Sequence, residues 1–189
     1  MDLSREGAPA RSRHGIGRAF QLTNLFPGLS VLENVRLAVQ AAAGVHYDMT
    51  RPWMVRRDLI ERAHATLAGV ALSAKAEQSV ASLSHGDQRK LEVALMMALE
   101  PSVFMFDEPT AGMSVDEAPV VLDLIARLKQ DRSKTILLVE HKMDVVRSLA
   151  DRIIVLTNGQ LAADGEPAAV IASPVVQEAY LGIIPGAPR

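Results

Sequence analysis

The chain has 189 residues, 49% of them hydrophobic, and a formal net charge of −2. That suffices for one packed domain, or one with a subdomain, and gives no reason to expect nucleic acid as a partner. The absence of cysteine fits a reducing compartment and excludes disulfides and thiolate chemistry, and no apolar run approaches the roughly 20 residues needed to cross a bilayer. The N-terminus lacks a secretory apolar core, so the composition is that of a cytosolic protein that would serve a membrane only by docking to it.

In chain order, residues 1–14 are polar, with Arg5, Arg11 and Arg13, and predict a mobile or loosely helical start. The run 15–21 is short and ends in a polar residue. Its Gly15-Ile16-Gly17 pair is no nucleotide fingerprint, because no strand precedes it and no helix follows. Residues 25–30 read as a turn carrying Leu25 and Phe26. Ser30 with Glu33 three residues later is a capping pattern that opens a helix over 31–43. Residues 44–54 break regular structure, and an amphipathic helix over 55–67 places Arg56, Arg57, Asp58, Glu61 and Arg62 on a solvated face.

The stretch 83–114 organises the rest. Ser84 and Asp87 repeat the capping pattern at the head of a helix running to about Leu99. A helix N-terminus beside a glycine also offers free N–H groups and a positive dipole end to a phosphate, although alone the pattern is only a cap. Pro101 stops the helix, and the apolar run 103–106 suits a strand buried on both faces of a parallel sheet. Ligands of such sheets sit beyond the carboxyl ends of the strands, where Asp107 and Glu108 stand with Pro109 behind them. One acid can hold a hard cation such as Mg²⁺, and the next can orient and deprotonate an attacking water. The plain alternative is an acidic strand end facing solvent. A helix over 114–130 with Pro119 in its first turn follows, then a buried strand over 135–139 ending in Glu140-His141. A helix over 144–149 and a strand over 152–156 come next. Asn158-Gly159 predicts a tight hairpin turn, and the tail from Ile184 is expected to fray.

In that order and spacing the motifs resemble the ATP-binding cassette family, the ATPase subunits of ABC transporters. Leu83-Ser84-His85-Gly86-Asp87 is similar to the signature motif, Val103 to Glu108 to Walker B, and Ala111-Gly112-Met113-Ser114 to the D-loop. Phe20-Gln21 resembles the Q-loop, and His141 the switch histidine. The sequence departs from the family pattern at His85, where Gly is usual, at Asp87, where Gln or Glu is usual, and at Ser114, often Asp. The resemblance implies an α/β fold: a truncated P-loop NTPase (RecA-like) core, residues 1–24 and 101–172, with an inserted helical subdomain, residues 25–100, and a tail, residues 173–189. It implies ATP and Mg²⁺ as cofactors, with Asp107 and Gln21 at the metal, Glu108 activating water, and His141 and Gln21 around the γ-phosphate. Ser84, His85, Gly86 and Asp87 would meet ATP held by an opposite cassette subunit. Leu25 and Phe26 would face a transmembrane permease at the cytoplasmic side of the membrane.

No glycine here is followed by lysine, so the P-loop G-x-x-x-x-G-K-[ST] is absent. The expectation is a fragment or a start assigned too late, inactive alone, of an importer ATPase. The alternative is a non-hydrolysing cassette that completes a partner's ATP site through Ser84 and Gly86. The runs 24–35, 139–146 and 175–182 resemble cassettes serving branched-chain amino acid, amide or urea uptake.

Overall fold

The computed structural model describes residues 2–19, 25–45 and 56–181. Backbone contacts divide the chain into two compact units, Met1–Val139 and Glu140–Arg189.

In the first unit a short helix, α1 (Ala8–Arg13), leads into β1 (Ile16–Arg18). The Gly15 carbonyl accepts from the N–H groups of Ser102 and Val103 at 2.9 and 3.0 Å, which holds β1 beside β2 (Val103–Asp107). β2 also pairs with β3 (Thr135–Val139), giving a parallel sheet of order β1-β2-β3 with Ile16 opposite Val103 and Asp107 opposite Val139.

Between β1 and β2 run α2 (Val31–Ala42), α3 (Arg57–Gly69), two short 3-10 turns (Ser73–Lys75 and Val80–Ser82) and α4 (His85–Ala98). α2 buries Val31, Val35 and Val39, and α3 buries Leu59, Ala63 and Leu67. Each set repeats every four residues, the spacing of one helix face, and those faces pack on each other and on α4. Burying each Val or Leu contributes about 1.5–3 kcal/mol before entropy is counted. α2 begins where the capping pattern places it: the Ser30 hydroxyl accepts from the Glu33 N–H at 3.1 Å.

Phe104 and Phe106 of β2 are buried side by side, ring centroids 6.1 Å apart, whereas Val103, Met105 and Asp107 are half-buried. The expectation of strands buried on both faces thus holds for one face of β2 and fails for β3, where Leu137 is 47% and Val139 53% exposed. Among the described residues β3 has one strand neighbour, and an apolar run reads alike whether one face is covered or two. α5 (Ala118–Gln130) begins later than expected. Ser114 and Glu117 form a separate turn, with the Ser114 N–H donating to Glu117 Oε2 at 3.2 Å and the Glu117 N–H to Ser114 Oγ at 3.3 Å. Pro119 then sits in the first helical turn, where its missing N–H costs nothing.

The second unit contains α6 (Met143–Leu149), the antiparallel hairpin β4 (Ile153–Thr157) and β5 (Gln160–Gly165), α7 (Pro167–Ile171) and α8 (Pro174–Leu181). Asn158 and Gly159 have φ of 51° and 75°, the left-handed pair that a two-residue hairpin turn requires. Ile153, Val155, Val170 and Val176 form its core. Among the described residues no helix is long and apolar enough to cross a membrane.

Candidate functional site

The acids stand at the carboxyl end of the central strand. Asp107 is the last paired residue of β2, and the Glu108 N–H adds one further bond, to the Val139 carbonyl at 3.0 Å. Glu108 then takes a φ of 46°, a left-handed conformation that costs a residue with a side chain roughly 1–2 kcal/mol. The Ala111 N–H closes the turn onto the Glu108 carbonyl at 2.9 Å, over a buried Thr110. Strain of this kind persists where the surroundings over-determine it, and it concentrates at functional sites.

Arg18, on the neighbouring strand, brings Nη2 to 3.6 Å from Asp107 Oδ2. A shallow depression at this end is lined by Arg18, Met105, Phe106, Asp107, Leu137 and Val139. Among the described residues no group of three or more His, Asp or Glu side chains forms a metal cage. One half-buried carboxylate nonetheless fits Mg²⁺, which keeps several waters and takes one or two carboxylates together with substrate phosphates. Gln21, the other expected metal contact, lies outside the described residues.

The head of α4 is held differently. The Ser84 hydroxyl accepts from the Asp87 N–H at 3.2 Å and donates to Asp87 Oδ2 at 3.1 Å. The Asp87 side chain is only 8% exposed. It receives Lys90 Nζ at 3.1 Å from the next helical turn and Lys75 from the preceding 3-10 turn. Burial pushes its pKa up, but the hydrogen bonds from Lys75, Lys90 and Ser84 outweigh that and hold the carboxyl below its ordinary value. Gly86 is buried while His85 is exposed. Both touch the segment that follows the acids: His85 lies against Gly112, and the Glu117 carboxylate lies over Gly86.

His141 belongs to the second unit and is exposed. Its N–H and that of Lys142 donate to Glu140 Oε2 at 3.0 and 3.2 Å, and the Glu140 side chain is buried. The structure therefore joins Asp107 to Glu108, and the turn from Ser84 to Asp87 to the loop after those acids. It adds Arg18, Lys75, Lys90, Glu117 and Glu140, which the sequence reading did not select. Lys90 and Glu117 had local signals, the i,i+3 spacing from Asp87 and the capping spacing from Ser114. Lys75 and Arg18 had none, because their contacts are set by tertiary packing.

The chain matches the family described as ABC transporter over residues 2–111. It is 36% identical over 188 residues to the high-affinity branched-chain amino acid transport ATP-binding protein LivG of Escherichia coli K12, covering 96% of this chain and 74% of LivG. A nucleotide-free ATP-binding cassette from an ABC transporter superposes with a TM-score of 0.75 at 24% identity, over 97% of this chain and 75% of that one. A cassette in a dimeric post-hydrolysis state with ADP and phosphate matches with a TM-score of 0.69 at 26% identity, over 84% of this chain and 66% of that one.

Proposed function

The chain is an ATP-binding cassette of the ABC transporter family, and we propose that it energises an importer by hydrolysing MgATP at an interface between two cassettes. The observation that carries this reading is Glu108, held left-handed one residue beyond the central parallel strand and beside Asp107. A carboxylate so fixed suits a group that must orient a water and accept its proton as it attacks phosphorus.

In this reading Asp107 and Gln21 would hold Mg²⁺, which neutralises charge on the β and γ oxygens when bound. Glu108 acts as the base, and His141 with Gln21 surrounds the γ-phosphate. Ser84 and Gly86, with His85 and Asp87 beside them, close on ATP from the opposite subunit. Residues 1–24 and 101–172 serve as the nucleotide-binding core, residues 25–100 as the helical subdomain, and residues 173–189 as a tail. The loop that meets the permease, at the cytoplasmic face of the membrane, includes exposed Phe26. The buried side chain of Asn34 pins it by accepting from the Phe26 N–H at 2.9 Å and donating to the Phe26 carbonyl at 3.1 Å. Branched-chain amino acids, amides or urea are the proposed solutes, since the sequence runs noted above and the likeness to LivG point the same way.

The test is Glu108→Gln in the natural protein purified with its partner subunits: hydrolysis is lost and ATP binding persists. A second reading, a module that completes the ATP site of an intact partner, is favoured by the well-formed turn at Ser84 and the absence of a P-loop motif from these 189 residues. In that case the 189-residue chain alone shows no turnover but supports it when mixed with a cassette that carries the motif.

A further inference from the structure

We propose that Arg18 is a positioning residue that competes with Mg²⁺ for the Asp107 carboxylate, so that the charge at position 18 sets how much Mg²⁺ the site needs. This rests on the reading of Asp107 as the carboxylate that holds the metal, and adds to it a residue of the neighbouring strand that tunes the affinity.

Arg18 lies opposite Met105 in the ladder between β1 and β2, and Asp107 follows Met105 by two residues along β2. Side chains two apart on a strand, and those of paired residues, fall on one face of a sheet. Arg18, Met105 and Asp107 therefore share the face opposite the buried Phe104 and Phe106. Leu137 and Val139, paired with Met105 and Asp107, lie on it too. Of the described residues that line the depression at this end, Arg18 and Asp107 are the charged ones and the others are apolar. Arg18 Nη2 stands 3.6 Å from Asp107 Oδ2, an ion pair longer than a hydrogen bond. The Arg18 side chain is 54% exposed and that of Asp107 28%.

The short Asp107 side chain is held by its strand, whereas the guanidinium ends a long stem whose head reaches water. An exposed pair of this kind attracts without locking, so Arg18 can give up the oxygen to a stronger cation. A divalent ion that binds Asp107 has to displace Arg18 or sit beside its like charge. Both effects oppose metal binding, and both vanish when the charge at position 18 is removed. A single contact at 3.6 Å is not a bidentate fork and asks only for charge, which lysine also supplies.

The experiment titrates Mn²⁺, which carboxylates bind as they bind Mg²⁺, into the natural protein purified with its partner subunits and saturated with ADP. Free Mn²⁺ is read by EPR. Arg18→Met keeps an apolar stem and removes the charge, and its Kd at low salt should be about threefold to fivefold below that of wild type. Arg18→Lys should stay within about twofold of wild type. The difference between Arg18→Met and wild type should close in about 1 M salt, where charges are screened within roughly 3 Å; a purely structural effect would persist there. Arg18→Gln serves if Arg18→Met does not fold. Asp107→Asn should weaken Mn²⁺ binding by at least about tenfold. An unchanged Kd on removing the Arg18 charge, with Asp107→Asn weakened, would overturn the competition and leave the metal reading standing. An unchanged Kd in Asp107→Asn would overturn the metal reading and the competition with it.

Discussion

At the end of β2 the backbone holds the two acids proposed to act on ATP. Asp107 closes the ladder, the Glu108 N–H adds a bond to Val139, and the chain then turns left-handed at Glu108. At the head of α4 side chains hold the turn from Ser84 to Asp87. Asp87 gathers Ser84, Lys75 and Lys90, His85 meets Gly112, and Glu117 covers Gly86. If Glu108 is the base, as proposed, a fixed frame would help it stay aligned with an attacking water. The turn proposed to meet a nucleotide from the opposite subunit is held instead by side-chain contacts, which can exchange.

Glu108→Gln tests the backbone-held side at its chemical end, and should lower turnover by about 10²–10⁴-fold with ATP affinity kept. Phe104→Ala tests its frame. Deleting a ring fully buried against Phe106 should cost about 3–5 kcal/mol in denaturant unfolding; a cost below that of signature-turn variants would mean the sheet is not the rigid partner. On the other side, Asp87→Asn leaves Lys90, itself largely buried, against a neutral amide and should cost about 1–3 kcal/mol. It should also change the acid profile. The folded pKa of Asp87 is lowered, so its contribution is present above the unfolded value of about 3.9 and is lost as pH falls through the folded one. Wild type should therefore lose stability on acidification below about pH 4, and Asp87→Asn should lose less over that window. The smallest effect is the most discriminating: Ser30→Ala and Ser84→Ala each remove a helix cap worth about 1 kcal/mol, yet only Ser84→Ala should reduce turnover.

That pair of serines also marks what sequence can and cannot reveal. Both caps were legible, as were the Asn158-Gly159 turn and the strand ahead of Asp107, because each depends on residues within a few positions of one another. Their surroundings differ: Ser30 borders the buried Asn34, whose side chain donates to the Ser30 carbonyl at 2.9 Å, whereas Ser84 shares the Asp87 carboxylate with Lys75 from the preceding 3-10 turn. The one-sided exposure of β3 was illegible for the same reason, since Leu137 and Val139 carry no mark of what lies beside them. The left-handed Glu108 had no signal either, as a glutamate before proline favours extended backbone.

The most direct measurement is ATP binding and ATP hydrolysis side by side on the natural protein and its Glu108→Gln variant, each purified with its partner subunits. Equal ATP affinity with turnover at least about a hundredfold lower in the variant is the result expected if Glu108 is the base. Undiminished turnover would contradict it, and would leave Asp107-Glu108 as an acidic strand end without the catalytic role assigned to it.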